Sequence, residues 1–352
     1  MIYYFPSKID LDNLNKASKI RPYEFSKNLH EEDVFIEGNS FSRVLKLYKC
    51  LFFYKGDKTI YIESNNFPFY LSEIRKLQLW FVFEILAFYI FKIKKFKIGL
   101  FYRDLFWRHI DFKPKKIKTY IRHLFFLIEW KYYCSIINVF FLPTKKIIEL
   151  LPKNNKITKV LWVGLNVNFD EIISNNSNQI TFLYIGGVLP PFYDLNPLFD
   201  IAKKTKKHQF IICTREKEWK HILKENIYDI GSNIDVVFKS YNEIPDLYKS
   251  MNTILIDPRK PKGYYSYSLP FKYLESVSYG APVINFKGTA ADDFFEKYNY
   301  SWSFETEEEI VSFINELKPS MLNEKQIIIK KTIATHKWKN RLNELKQIIT
   351  NS

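Results

Sequence analysis

The chain has 352 residues, more than a single hydrophobic core fills, and 47% of them are apolar, so two domains of ordinary size are expected and a disordered chain is excluded. Its 53 Lys and Arg against 38 Asp and Glu leave a net charge of +15, which favours nucleic acid, an anionic membrane face or phosphorylated substrates, although the Lys-, Ile- and Asn-heavy coding of an AT-rich genome raises the same number. Cys50, Cys134 and Cys213 are odd in number, far apart and without CxxC spacing, which excludes a disulfide framework and a structural zinc site and fits a reducing cytoplasm.

In chain order, MIYYFP from Met1 opens as a strand, and nothing in MIYYFPSKID reads as a signal peptide. Further strands are expected in DVFIEG from Asp33, TIYIES from Thr59, KIGLFYRD from Lys97, NVFFLP from Asn138 and KVLWVG from Lys159, with helices between most of them. The most lipophilic run, Leu79 to Phe91, is thirteen residues long with Glu84 in its middle, short of the roughly 20 needed to span a bilayer. Together with the basic run Lys92 to Lys97 and the aromatic, basic stretch Lys115 to Tyr133, it supports two readings: interfacial membrane contact, or a buried core helix beside a solvated charge run.

A polar, Asn- and Ser-rich seam follows at Gly164 to Gln179. Beyond it, strands are expected in QITFLYIGG from Gln179, HQFIICT from His208, NIDVVFK from Asn233, NTILIDP from Asn252 and PVINF from Pro282, and the stretch Glu324 to Ile349 is helical by pattern. Short apolar strands alternating with helices predict α/β architecture: two Rossmann-like, doubly wound domains, 1–165 and 166–330, facing a central cleft. A C-terminal helix, 331–352, is expected to pack back on the first domain. In open α/β sheets ligands bind outside the carboxyl ends of the strands.

The stretch SLPFKYLESVSYGAPVINF, Ser268 to Phe286, reads as loop, helix and strand. On a helix from about Pro270 to Tyr279, Lys272, Glu275 and Tyr279 share one arc and Phe271, Leu274 and Val277 the neighbouring one, while Gly280 and Pro282 stop it. A helix N-terminus next to a lysine suits a diphosphate, and a carboxylate one turn in suits vicinal hydroxyls. The same spacing also makes an ordinary i, i+3 surface pair.

Pro270, Lys272, Glu275, Gly280, Pro282, Val283 and Ile284 follow the pattern P-x-K-x-x-E-x-x-x-x-G-x-P-V-I, and in this the chain resembles GT-B glycosyltransferases, particularly family 4 (group 1) enzymes of bacterial surface-polysaccharide synthesis. Thr181 to Phe199 resembles the strand and glycine turn opening their donor domain, Ser18 to Leu29 their first acceptor-domain helix, and Ser301 to Leu317 their late strand and capped helix. The resemblance implies that Glu275 binds the donor ribose and Lys272 the diphosphate or sugar, with Gly186 and Gly187 letting backbone approach a phosphate. Arg215 is a second diphosphate candidate, or else a partner of Glu216 or Glu218. Tyr241 lies where the nucleobase is usually met. Many members carry a second glutamate eight residues before the ribose-binding one; this chain has Tyr267 there, which leaves donor identity and retaining chemistry open.

Sugar transfer needs the leaving diphosphate stabilised and the acceptor hydroxyl positioned, with a base if the anomeric centre inverts. Asp104, after the KIGLFY strand, is the candidate base or sugar contact, and Arg103 the candidate for phosphate or for orienting Asp104; a structural Arg–Asp pair is the plain alternative, and Glu63 is given no role. His109 is a weaker choice. Neither Asp10 and Asp12 nor Asp292 and Asp293 suits a metal site, so no metal and no cofactor is expected, the nucleotide sugar being the donor substrate. The expected partners are that donor, a glycan or lipid-linked acceptor and an anionic membrane surface, with no nucleic acid, at the inner face of the cell membrane. A non-enzymatic basic binding protein for nucleic acid or membrane, and a GT-B-type nucleotide-sugar epimerase, are the other two readings.

Overall fold

The computed structural model describes residues 1–9, 17–65, 68, 71, 74, 79–167, 179–190, 193–240, 243–249 and 252–352. The candidate Tyr241, the pair Asp10 and Asp12, and most of the expected seam at 164–179 lie outside the described residues. The chain divides into two units, one of residues 1–164 and 338–352, the other of residues 165–337.

In the first unit, strands β1 (Ile2–Tyr4), β2 (Val34–Ile36), β3 (Thr59–Glu63), β4 (Lys97–Phe101), β5 (Val139–Leu142) and β6 (Ile157–Val160) form a six-stranded sheet in the order β2-β1-β3-β4-β5-β6. Every pairing is parallel. Every residue of β3 is buried, as the near-continuous apolar run of a strand covered on both faces requires. Among the described residues its helices are α1 (Ala17–Lys27), α2 (Ser40–Phe53), α3 (Phe81–Ile93) and α4 (Ile117–Ile136). The α2 helix starts where Asn39 Oδ1 accepts the Ser42 amide at 2.9 Å, satisfying one of the donors every helix N-terminus leaves over.

One face of this sheet, including Tyr4, Ile60, Ile62, Ile98 and Leu100, packs on Leu47 of α2, Phe88 and Phe91 of α3 and Trp130 of α4. The other face carries Tyr3, Tyr61 and Phe141 and is closed by Phe25 of α1 and by the C-terminal segment. Phe25 meets Tyr61 at 5.8 Å and Trp338 at 5.4 Å between ring centroids. The strand expected from Lys159 to Gly164 begins and ends earlier, at Ile157–Val160, because Gly164 is needed elsewhere. A Cβ there would lie 2.5 Å from the Trp338 indole and 2.8 Å from its Cα, so only glycine lets the returning chain approach.

The second unit has β7 (Ile180–Ile185), β8 (Gln209–Cys213), β9 (Ile234–Val237), β10 (Asn252–Ile256), β11 (Val283–Phe286) and β12 (Ser301–Phe304). Its sheet order, β12-β11-β10-β7-β8-β9, is the 3-2-1-4-5-6 arrangement of dinucleotide-binding sheets, all parallel. Among the described residues its helices are α5 (Asn196–Lys204), α6 (Glu216–Lys224), α7 (Ile244–Lys249), α8 (Phe271–Ser278), α9 (Ala290–Tyr298), α10 (Glu307–Glu316) and α11 (Pro319–Thr332). Thr306 caps α10 through the Glu309 amide at 3.2 Å, but the Glu309 carboxylate reaches back to the Glu305 amide, one residue before the cap.

The long helix expected over Glu324 to Ile349 is interrupted. A 3-10 turn at Ile333–His336 separates α11 from α12 (Trp338–Thr350), because Ile333 and His336 are drawn into the core, where His336 meets the Phe294, Tyr298 and Tyr300 rings. Past the turn, α12 belongs to the first unit and lies on β3 and β4. Its Ile349 packs over Gly99 of β4, where an added Cβ would meet Ile349 at 2.7 Å and Phe141 at 2.8 Å. Gly99→Ala is therefore expected to lower stability by about 1–3 kcal/mol through overpacking, measured by urea unfolding; an unchanged midpoint would mean that α12 shifts without cost.

Candidate functional site

In the second unit the candidates cluster at the carboxyl ends of β7 and β8 and on α8. The α8 helix begins at Phe271 after Pro270, without a side-chain cap, and ends where Gly280, at φ 80°, lets the Gly280 and Ala281 amides turn back onto Val277 and Ser276. Leu274 and Val277 are fully buried beneath it. Glu275 is also buried, 8% exposed, and its Oε2 accepts Lys272 Nζ at 2.9 Å. Burial pushes the Glu275 carboxyl up from its ordinary range, and Lys272 pulls against it. This is not a fully solvated pair: among the described residues Lys272, itself 24% exposed, is the ammonium that holds the buried carboxylate, which has further lone pairs that could accept from hydroxyls.

The surroundings join the other candidates to this pair. Burial raises the Cys213 thiol at the end of β8, while Lys272 and Lys239 are near enough to pull it down. The Gly186 amide donates to Cys213 O at 3.1 Å, which sets the glycine turn after β7 beside the end of β8. A Cβ on Gly186 would sit 2.6 Å from the hydroxyl oxygen of the buried Tyr184, and one on Gly187 2.4 Å from the ring of the exposed Tyr193, so a side chain at either position would have to displace a tyrosine. Arg215 pairs with Glu218, whose other oxygen accepts the Val188 amide at 3.2 Å, and its exposed guanidinium is thus tethered to the glycine turn. Tyr248 is buried against Glu275 and stacks on Tyr279 at 5.3 Å.

Two residues that sequence reasoning passed over set the position of α8. Asp257, fully buried just after β10, holds Arg259 in two parallel bonds of 2.8 Å each, from Nε and from Nη2. Arg259 Nη1 then donates to Tyr265 O at 3.0 Å and Ser268 Oγ at 2.9 Å, and the Tyr273 hydroxyl donates to Asp257 at 2.8 Å. Burial opposes the charge on Arg259, but Asp257 more than offsets it and raises the guanidinium's pKa. One arginine therefore ties the loop after β10 to the helix it leads into. The D-x-R spacing of Asp257 and Arg259 after an apolar strand was the available signal. Tyr267, at the position of the absent glutamate, stacks on Tyr264 instead. A cavity of about 340 Å³ nearby, lined by Lys260, Pro261, Phe286 and residues 305–308, is unsuited to a diphosphate: three glutamates line it, and Lys260 is already paired with Glu307 at 2.7 Å.

In the first unit, Arg103 and Asp104 follow β4 as expected. Arg103 Nη2, however, donates to Glu63 Oε1 at 2.6 Å, and its amide donates to Ser64 Oγ at 2.9 Å. Glu63, given no role above, ends β3 fully buried and also accepts the Tyr3 hydroxyl at 3.0 Å, with Arg21 Nε at 3.4 Å. This cluster sits where the strand order reverses between β1 and β3, the place at which open α/β sheets bind ligands. Asp104 Oδ1 accepts the Phe106 amide at 3.1 Å. Burial pushes the Asp104 carboxyl up to about 6, against the pull of the Phe106 and Leu105 amides and of Arg103. A carboxylate so poised takes a proton near neutral pH far better than an exposed one.

No family model matches the sequence, and neither does any curated protein sequence. Solved structures do match in fold. Anabaena HepE, solved in complex with UDP, is 12% identical, with all of both chains covered and a TM-score of 0.64. A glycosyltransferase from Rickettsia africae is 15% identical over 99% of this chain and 97% of its own, with a TM-score of 0.61. The sucrose-phosphate synthase of Thermosynechococcus elongatus is 12% identical over 88% of this chain and 77% of its own, at 0.54. Two parallel six-stranded sheets with their helices thus give this chain the GT-B glycosyltransferase fold.

Proposed function

We propose that the chain transfers a glycosyl group from a nucleoside-diphosphate sugar to a glycan acceptor, in the manner of family 4 enzymes of bacterial surface-polysaccharide synthesis. The observation that carries this reading is the buried Glu275 paired with the partly exposed Lys272 on α8, beside the glycine turn, in a fold shared with a protein solved holding UDP. Glu275 takes the ribose hydroxyls. Lys272, the exposed Arg215 and the start of α8 meet the diphosphate charge, and the reading invokes no metal and no cofactor. In the first unit Asp104 serves the acceptor: its carboxylate receives the hydroxyl proton as the oxygen bonds the anomeric carbon and the nucleoside diphosphate departs with the electrons of the broken bond. The acceptor is a lipid-linked or surface-polysaccharide intermediate, and the enzyme works at the inner face of the cell membrane; the excess of basic charge supports this placement.

The test is a thermal-shift panel of UDP, GDP, CDP and their sugars, with UDP tried first. A donor at 100 times its dissociation constant stabilises by about 2.7 kcal/mol, a rise of several degrees. Glu275→Ala, which removes a carboxyl that burial already disfavours, is expected to fold and to lose most of the shift. An unchanged shift in that variant overturns the site.

A further inference from the structure

The helical layer α2, α3 and α4 is apolar on both sides. Its inner side packs on the sheet. On its outer side α4 presents Ile117, Ile121, Leu124 and Ile128, spaced i, i+4, i+7, i+11, and α3 presents Val82, Leu86, Tyr89 and Ile93 at the same spacing. Ile117 and Ile93 are 81% and 79% exposed. The stripes are parts of one surface: Tyr89 meets Tyr132 of α4 at 5.7 Å and its hydroxyl bonds Ser135 at 2.8 Å, while Trp80, just ahead of α3, meets Phe41 of α2 at 4.9 Å. A globular helix ordinarily turns a polar face to water, and one that is apolar all round is ordinarily covered.

Charge identifies what covers it. The acids of these three helices are Glu84 and Glu129, and both are buried, Glu84 on Arg43 at 2.8 Å and Glu129 on the Tyr133 hydroxyl at 2.6 Å. The three helices themselves therefore expose no carboxylate, whereas Lys46, Lys49, Lys94, Lys95, Lys116 and Lys118 on or beside them are exposed and outnumber the exposed acids Asp57 after α2 and Asp111 before α4. A second copy of the chain would set these cations against their own kind. No helix among the described residues is long and apolar enough to cross a membrane. From the apolar stripes, the predominantly cationic fringe and the buried acids, we infer that the outer face of α2, α3 and α4 docks on the surface of an anionic lipid bilayer.

This rests on the transfer reading and specifies its membrane partner. The chain runs from Asp104 through 3-10 turns at Phe106–Arg108 and Ile110–Phe112 and the basic residues Lys113–Lys116 straight into Ile117 of the docking face. An acceptor anchored in the bilayer by a lipid is thereby brought to the same segment that carries Asp104.

The test is sedimentation of the full chain with vesicles of phosphatidylcholine alone or mixed with phosphatidylglycerol, at low and high salt. The chain is expected to partition onto the anionic vesicles at least about tenfold more strongly than onto neutral ones, with loss at high salt. Leu86→Glu with Leu124→Glu, both half exposed, and separately Lys115→Glu with Lys116→Glu and Lys118→Glu, should each cut partitioning by about tenfold or more while leaving the nucleotide thermal shift unchanged. Absence of binding to anionic vesicles, or wild-type partitioning by both variants, overturns the inference. So does a dimer in ultracentrifugation that Leu86→Glu with Leu124→Glu dissociates. Loss of the nucleotide shift in the wild type would instead refute the transfer reading and leave the docking face standing.

Discussion

Asp104→Asn is expected to lower kcat by about 100- to 10,000-fold while the nucleotide-induced thermal shift persists. The substitution keeps an oxygen for the Phe106 amide and removes only the capacity to take a proton. In the wild type the acid limb of the kcat/KM profile should fall with an apparent pKa near 6, the value to which burial lifts this carboxyl, and the limb should vanish from whatever activity the variant retains. Stability should move the opposite way. A carboxyl whose pKa rises from 3.8 to about 6 on folding contributes stability that is whole below pH 4 and is lost as pH climbs through 6. At pH 7.5 Asp104→Asn should therefore melt above the wild type, and the difference should close toward pH 4. A variant with full turnover would remove Asp104 from the chemistry.

Arg259→Met carries the largest expected cost in stability. It leaves Asp257 charged in a fully buried position, and breaking such a pair costs about 3–5 kcal/mol, which lowers the melting temperature of a unit this size by on the order of 10 °C. The loop from 257 to 269 also loses its bonds at Tyr265 and Ser268, so α8 loses its mooring and the nucleotide shift should shrink. Asp257→Asn added to Arg259→Met should restore part of the stability, because no unpaired charge remains, and a double-mutant cycle measures the coupling. If the two losses simply add, the pair is not what holds the loop.

The sheets and the Lys272–Glu275 pair were legible because their signals are local. Lys272 and Glu275 lie three residues apart on one helix between a proline and a glycine, and each strand announces itself by a short apolar run. The Glu63 cluster was not legible. It joins the ends of β3 and β4, 40 residues apart, with Tyr3 and Arg21 added from elsewhere, and only the sheet order brings them to one edge. Arg103 accordingly reaches Glu63, a partner sequence reasoning did not consider. Asp257 and Arg259 are only two residues apart, yet their meaning depends on Tyr273 and Ser268 further along. The interruption at 333–336 failed to show because its residues suit a helix, and tertiary burial of Ile333 and His336 decided the matter. Of the two readings of Leu79 to Phe91, the core helix holds for the inner side of α3, where Ala87, Phe88 and Phe91 are buried; its outer side is exposed and apolar.

Because Trp338 to Ser352 completes the first unit, the second unit's 173 residues are interposed in the chain before the first can close. On the ribosome the order of completion is thus reversed: Leu165 to Lys337 can mature while Tyr3 and Tyr61 still lack their final cover. A nascent chain arrested near residue 330 would hold that aromatic face open, and chaperone engagement during synthesis should concentrate on it.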